Sequence, residues 1–168
     1  PEPEPVPVAE KPKPAPSGPT EAQKKAFLAF EKRIYATEKP ATSAIKTFQA
    51  SAKKFDAGDA TLFDVYDDAT DAKDACSSVQ MAYWELDPPK DLPEDVRDLL
   101  DEALQSLSTS YMTQSDAFKA FAKYLDEQKM SEAEKYKEKM DMAQSFNLEA
   151  VAKVMEAREK MGIPLDAK

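Results

Sequence analysis

The fold class predicted by this sequence is all-α: an up-down-up-down antiparallel four-helix bundle behind a proline-rich N-terminal spacer. Three observations predict it. All three glycines lie at element boundaries; eight prolines crowd into residues 1–19, four more (Pro88, Pro89, Pro93, Pro164) mark later breaks, and only Pro40 falls inside a helical pattern. Four long stretches carry apolar or small residues in alternating steps of three and four, the heptad seam of packed helices. The connections between them are roughly three to seven residues long, which forces neighbouring helices to run antiparallel.

The first helix opens at Thr20, with Gln23 three residues on as its capping-box partner. Its seam runs through residues 27, 30, 34, 37, 41, 44, 48, 51 and 55 and keeps phase across Pro40. Two readings fit: one helix kinked at Pro40, or a break at Lys39 with Pro40 opening a new helix. Gly58 supplies the stop. The second helix begins near Asp59 or Thr61, carries Leu62, Val65, Ala69, Ala72, Cys76, Val79, Tyr83 and Leu86, and ends at Asp87-Pro88-Pro89. The third opens at Pro93, with Glu94 and Asp95 in a first turn where the helix dipole favours acids. Its seam is Val96, Leu100, Ala103, Leu107, Tyr111, Gln114, Phe118, Phe121 and Leu125. The fourth is expected from Ser131, with Glu134 completing a capping box, through Ala133, Tyr136, Met140, Ala143, Asn147, Ala150, Val154, Ala157 and Met161 to Gly162. The domain boundaries are therefore a spacer over 1–19, a bundle over 20–163 and a short tail over 164–168.

Composition excludes several chemistries. There is no histidine and a single cysteine, which removes Ser-His and Cys-His nucleophiles, His-ligated haem, Cys-based zinc sites and the Glu-x-x-His di-metal bundle. Arg33, Arg97 and Arg158 are the only arginines and converge on no seam, so the chain reads as non-enzymatic, with no cofactor and no metal. A net charge of −9 argues against nucleic acid as a partner. No apolar run is long enough to span a membrane. Cys76 lies in the second seam and reads as a small buried hydrophobe.

Residues 1–19, PEPEPVPVAEKPKPAPSGP, favour polyproline II and have nothing larger than valine to bury. At about 3.1 Å per residue they reach on the order of 60 Å as a semi-rigid spacer. The Glu-Pro then Lys-Pro style resembles, in composition only, the periplasmic spacers of TonB-like proteins. That resemblance implies an extracytoplasmic tether and nothing about the bundle's fold. The chain opens on Pro1, and a signal or lipid anchor upstream is an expectation of the same reading.

Charge is uneven. The first helix (21–57) carries eight basic residues against four acidic, the second (60–86) one against six, and the third (91–128) three against nine. Lys46, Lys53 and Lys54 are placed to meet the Asp-rich start of the second helix. There Asp64, Asp67, Asp71 and Asp74 form one stripe facing away from the seam, with Asp68 at its edge. This is a docking face for a basic partner, a weak cation site or a solvated helix surface; the regular helix lacks the loop that wraps calcium. A second candidate is the polar zone of Tyr111, Gln114 and Asn147. Pairing the last two helices about a turn near 129 puts Tyr111 opposite Asn147, as a small pocket or as a hydrogen-bonded layer that sets register. Trp84 is expected to fold over the 87–92 connection against Pro88, Pro89 and Leu92.

The functional expectation is a monomeric, non-catalytic protein-interaction module, envelope lipoprotein-like, held near a membrane or cell surface by its spacer. The alternative is a periplasmic carrier that binds a small ligand or cation in its bundle.

Overall fold

The computed structural model describes residues 18–165; most of the proline-rich spacer and the last three residues of the tail lie outside them. Five helices follow one another: α1 (Glu21–Thr37), α2 (Lys39–Asp56), α3 (Leu62–Trp84), α4 (Glu94–Glu127) and α5 (Met130–Lys160). α1 and α2 form one arm interrupted at Glu38, so the bundle has four arms, and no strand occurs among the described residues.

The interruption has a local cause. Pro40 has no N–H, so the Ala36 carbonyl loses its ordinary helical donor. The Glu38 N–H turns to Ala36 O, and the Ile34 carbonyl accepts the Tyr83 hydroxyl at 3.0 Å. Helical pairing resumes at once, with Thr42 N–H donating to Glu38 O. Glu38 itself keeps helical dihedrals, so the seam stays in phase.

The starts of α1 and α3 are true capping boxes, Thr20 with Gln23 and Thr61 with Asp64. α5 departs from expectation: it starts at Met130 after Lys129 with no side-chain cap, and its first-turn acid is Glu132, not Glu134. Only Gln128 and Lys129 separate α4 from α5, which leaves no room for a Ser131 cap. Gln128 makes that turn at a left-handed φ of 55°.

The arm α1–α2 and helix α5 both end in the double bond pattern of a Schellman turn. Gly58 N–H donates to Phe55 O and Asp59 N–H to Lys54 O; Gly162 N–H donates to Glu159 O and Ile163 N–H to Arg158 O. Gly58 sits at φ 81°, and a methyl group there meets nothing within 4 Å, so alanine would meet only backbone strain. Gly58→Ala is expected to lower stability by about 1 kcal/mol. Gly18→Ala, with no such φ, should be neutral in the same urea titration.

The heptad seams are buried almost throughout. Phe27, Phe30, Ile34, Ala41 and Phe48 close the first arm on Val65 to Tyr83 of α3, Val96 to Leu125 of α4 and Ala143 to Met161 of α5. Several seam positions, among them Ala44, Leu86, Phe121, Tyr136 and Asn147, are only half-buried, and the seam ends Phe55 and Leu62 are exposed beside the α2–α3 turn. Phe48 anchors α2 by meeting Phe118 and Phe121 edge-on, each at 5.1 Å between ring centroids. α4 buries a wider face than its seam, adding Leu99, Leu104, Ser108, Ser110, Thr113, Ala117 and Ala120. It is packed between α3 and α5, and its small side chains let both neighbours approach closely.

Candidate functional site

The acidic stripe divides into residues the fold uses and residues it does not. Asp64 closes the α3 capping box, accepting from Thr61 N and Oγ1 at 2.7 Å, and those bonds hold its carboxyl below the ordinary range. Asp68, at the edge of the stripe, is half-buried and accepts the Ser51 hydroxyl of α2, so its carboxylate is used within the fold. Asp67, Asp71 and Asp74 remain exposed. Among the described residues Asp74 pairs only with its neighbour Lys73, at 3.1 Å. Asp67 and Asp71 meet no lysine or arginine within ion-pair distance among the described residues.

The basic first helix neutralises this region only at one corner. Lys54 shares a shallow recess with Ser51, Asp59, Asp64, Asp67 and Asp68. Lys46 and Lys53 form no ion pair there. No group of three or more potential metal ligands comes together among the described residues.

Two large apolar side chains frame the acidic face. Phe63 is 71% exposed at its N-terminal end and Trp84 is 70% exposed at the other, with Met81 one turn before Trp84. Trp84 does not fold over the proline connection. Leu92 is buried in the core, while Trp84 borders a recess between α3 and α4 with Asp87 and Asp101. Partial burial raises the Asp101 carboxyl, and the charges of Asp87 and Asp98 push it in the same direction. Negative potential therefore extends from the α3 face around the Trp84 end.

The mid-bundle polar zone splits in two. Ser110 donates to Ala143 O at 2.8 Å, Lys139 pairs with Asp116 and Lys160 with Asp95. These pairings are centred near residue 127, not 129, which places Tyr111 about one turn away from the position opposite Asn147. Gln114 is buried and donates to Ser110 Oγ, one turn back on its own helix. It belongs to a packed, hydrogen-bonded layer.

Tyr111 and Asn147 are connected through Glu38. The Tyr111 hydroxyl donates to Glu38 Oε2 at 3.1 Å, and its ring lies 5.8 Å from that of Tyr83. Burial first, then the Glu38 charge and hydrogen bond, push the Tyr111 hydroxyl well above its ordinary range. Asn147 and Glu38 both line a cleft of about 230 Å³ between α1 and α5, walled by Ile34, Tyr35, Tyr83, Leu107, Ala150, Val151 and Val154. The cleft lies where the Glu38 interruption separates α1 from α2. Sequence periodicity could flag Pro40, but not the carboxylate its break would aim inward.

One ion pair escaped the sequence reading. Arg158 Nη1 donates to both Glu31 carboxylate oxygens, at 2.8 and 2.6 Å, while Nε and Nη2 donate to Pro164 O. The pair is almost fully buried and fastens α1 to α5 and to the C-terminal turn. Glu31 and Arg158 are 127 positions apart in the chain, so no local pattern announces them. No family model, curated protein or solved structure matches this chain.

Proposed function

We propose that this bundle is a non-catalytic protein-interaction module that presents the outer face of α3 to a partner with a basic surface. The supporting observation is the arrangement of that face. Asp67, Asp71 and Asp74 are exposed, no ion pair from another helix reaches them among the described residues, and Phe63 and Trp84 bracket them as apolar anchors. Like charges at helical spacing weaken a helix slightly and return nothing to this fold. Charged residues beside exposed aromatics are the composition of a docking surface: the charges steer encounter and the aromatics supply affinity.

The proline-rich leader supports the second half of the proposal, a domain held away from a membrane or cell surface by a semi-rigid spacer, outside the cytoplasm. No helix among the described residues is long and apolar enough to cross a membrane.

A photo-crosslinking residue placed at Asp71 in the native host tests the docking face, with Glu138 on the exposed side of α5 as the control position. The expected result is a discrete protein adduct from position 71 only. Its yield should drop about tenfold when Asp67 and Asp74 become Asn and Trp84 becomes Ala. Equal adducts from both positions, or adducts indifferent to those substitutions, would count against the α3 face.

A further inference from the structure

We propose that the cleft between α1 and α5 binds a small alkylammonium ion, with its charged head at Glu38 and Asn147 and its apolar chain along α5. This site is separate from the α3 face and does not depend on it.

Four observations carry the assignment. Glu38 is half-buried and accepts one hydrogen bond from Tyr111, yet no lysine or arginine pairs with it among the described residues. A partly buried carboxylate without a cationic partner favours a counter-charge. The Asn147 side chain lines the same cleft and makes no hydrogen bond to a described residue, so its amide oxygen is free to accept. An ammonium group has three N–H donors, and two carboxylate oxygens with one amide oxygen make a matching set of acceptors. The remaining wall is apolar: Ile34, Leu107, Ala150, Val151 and Val154.

Shape and potential agree with that chemistry. The volume, about 230 Å³, lies below the roughly 300 Å³ at which drug-sized pockets begin. From Asn147 to Val154 the α5 wall is roughly 10 Å long, enough for a short unbranched chain lying parallel to the helix. Beyond the mouth, Leu148 and Met155 continue the apolar surface on the same helix. Burial raises the Tyr35 hydroxyl at the rim, with the charges of Glu31 and Glu38 adding to the shift and that of Arg158 opposing it. The Glu38 carboxylate disfavours anions in the cleft, and a neutral alcohol of the same length would lose the charge-assisted contact.

The test is a two-dimensional amide NMR titration of the full chain with n-hexylamine, 1-hexanol and hexanoate. For the amine, saturable shifts are expected at Glu38, Tyr111, Asn147 and Val151, with affinity about tenfold above the alcohol and no binding of hexanoate. Glu38→Gln keeps an acceptor for Tyr111 and should abolish the preference for amine over alcohol. Val151→Trp should fill the mouth and abolish both, with thermal melts showing that each variant folds. Non-saturating shifts spread over the acidic α3 and α4 surfaces, or an amine preference that survives Glu38→Gln, would overturn the assignment. Equal binding of Nα-acetyl-lysine amide would give the cleft to a partner's lysine and overturn the small-molecule reading.

Discussion

Replacing Glu31 with Leu is expected to destabilise the bundle by about 3–5 kcal/mol, the cost of leaving one half of a buried ion pair without its partner. The melting temperature should fall by on the order of 10 °C for a domain of this size. Arg158 is buried against α1 and the C-terminal turn, and its Nη1 donates to both Glu31 oxygens. With the carboxylate gone, the guanidinium still donates to Pro164 O but loses the charge that faces it from α1 in a poorly solvated site. The double variant Glu31→Leu/Arg158→Met removes both charges and should lose much less than the sum of the single changes. Urea unfolding of all four forms gives the coupling directly. A Glu31→Leu cost below about 1 kcal/mol would mean that the pair behaves like an exposed one.

High pH is expected to unfold the protein through three buried acids that have to ionise. Burial pushes the Cys76 thiol from its ordinary 9.0 up to about 12. Burial also raises Tyr83 and Tyr111 above their ordinary 10.0, with Glu38 adding to both. Below the ordinary values both the folded and unfolded chains hold these protons, and stability is unaffected. Above them the unfolded chain releases protons that the native state retains, so unfolding becomes more favourable as pH rises. Each such proton contributes a slope of about 1.4 kcal/mol per pH unit, and three together approach roughly 4. The loss therefore begins near pH 9 with Cys76 and steepens once the tyrosines join. Urea titrations across this range should show that decline, and Tyr83→Phe should make it shallower. Stability that stays level to pH 11, about one unit above the ordinary tyrosine value, would contradict the burial of these groups.

Much of the fold was legible because it is written in local chemistry. The Thr20–Gln23 capping box, the Gly58 and Gly162 stops and the seams through Phe30, Cys76, Leu107 and Ala150 all depend on residues within a few turns of one another. The wrong cap at Ser131 comes from a turn of only two residues, Gln128 and Lys129, and the shifted level of Asn147 from cross-helix pairings centred near residue 127; neither turn length nor axial shift is encoded in heptad spacing. The candidate sites were only half legible for a related reason. The stripe pattern identified Asp67, Asp71 and Asp74 as outward, but could not say that Ser51 on another helix would engage Asp68.

The sequence by itself determined the element types, their order, their antiparallel run and the seam residues at the centre of the core, because helix phase and short connections leave few alternatives. Tertiary structure alone decided which polar groups meet. Glu31 finds Arg158, Tyr83 caps the carbonyl exposed by the Pro40 break, and Glu38 accepts from Tyr111 at the edge of a cleft it shares with Asn147. Those meetings depend on the rotation and axial shift of whole helices against each other. Such displacements follow from how all the side chains pack at once, and no single segment contains them.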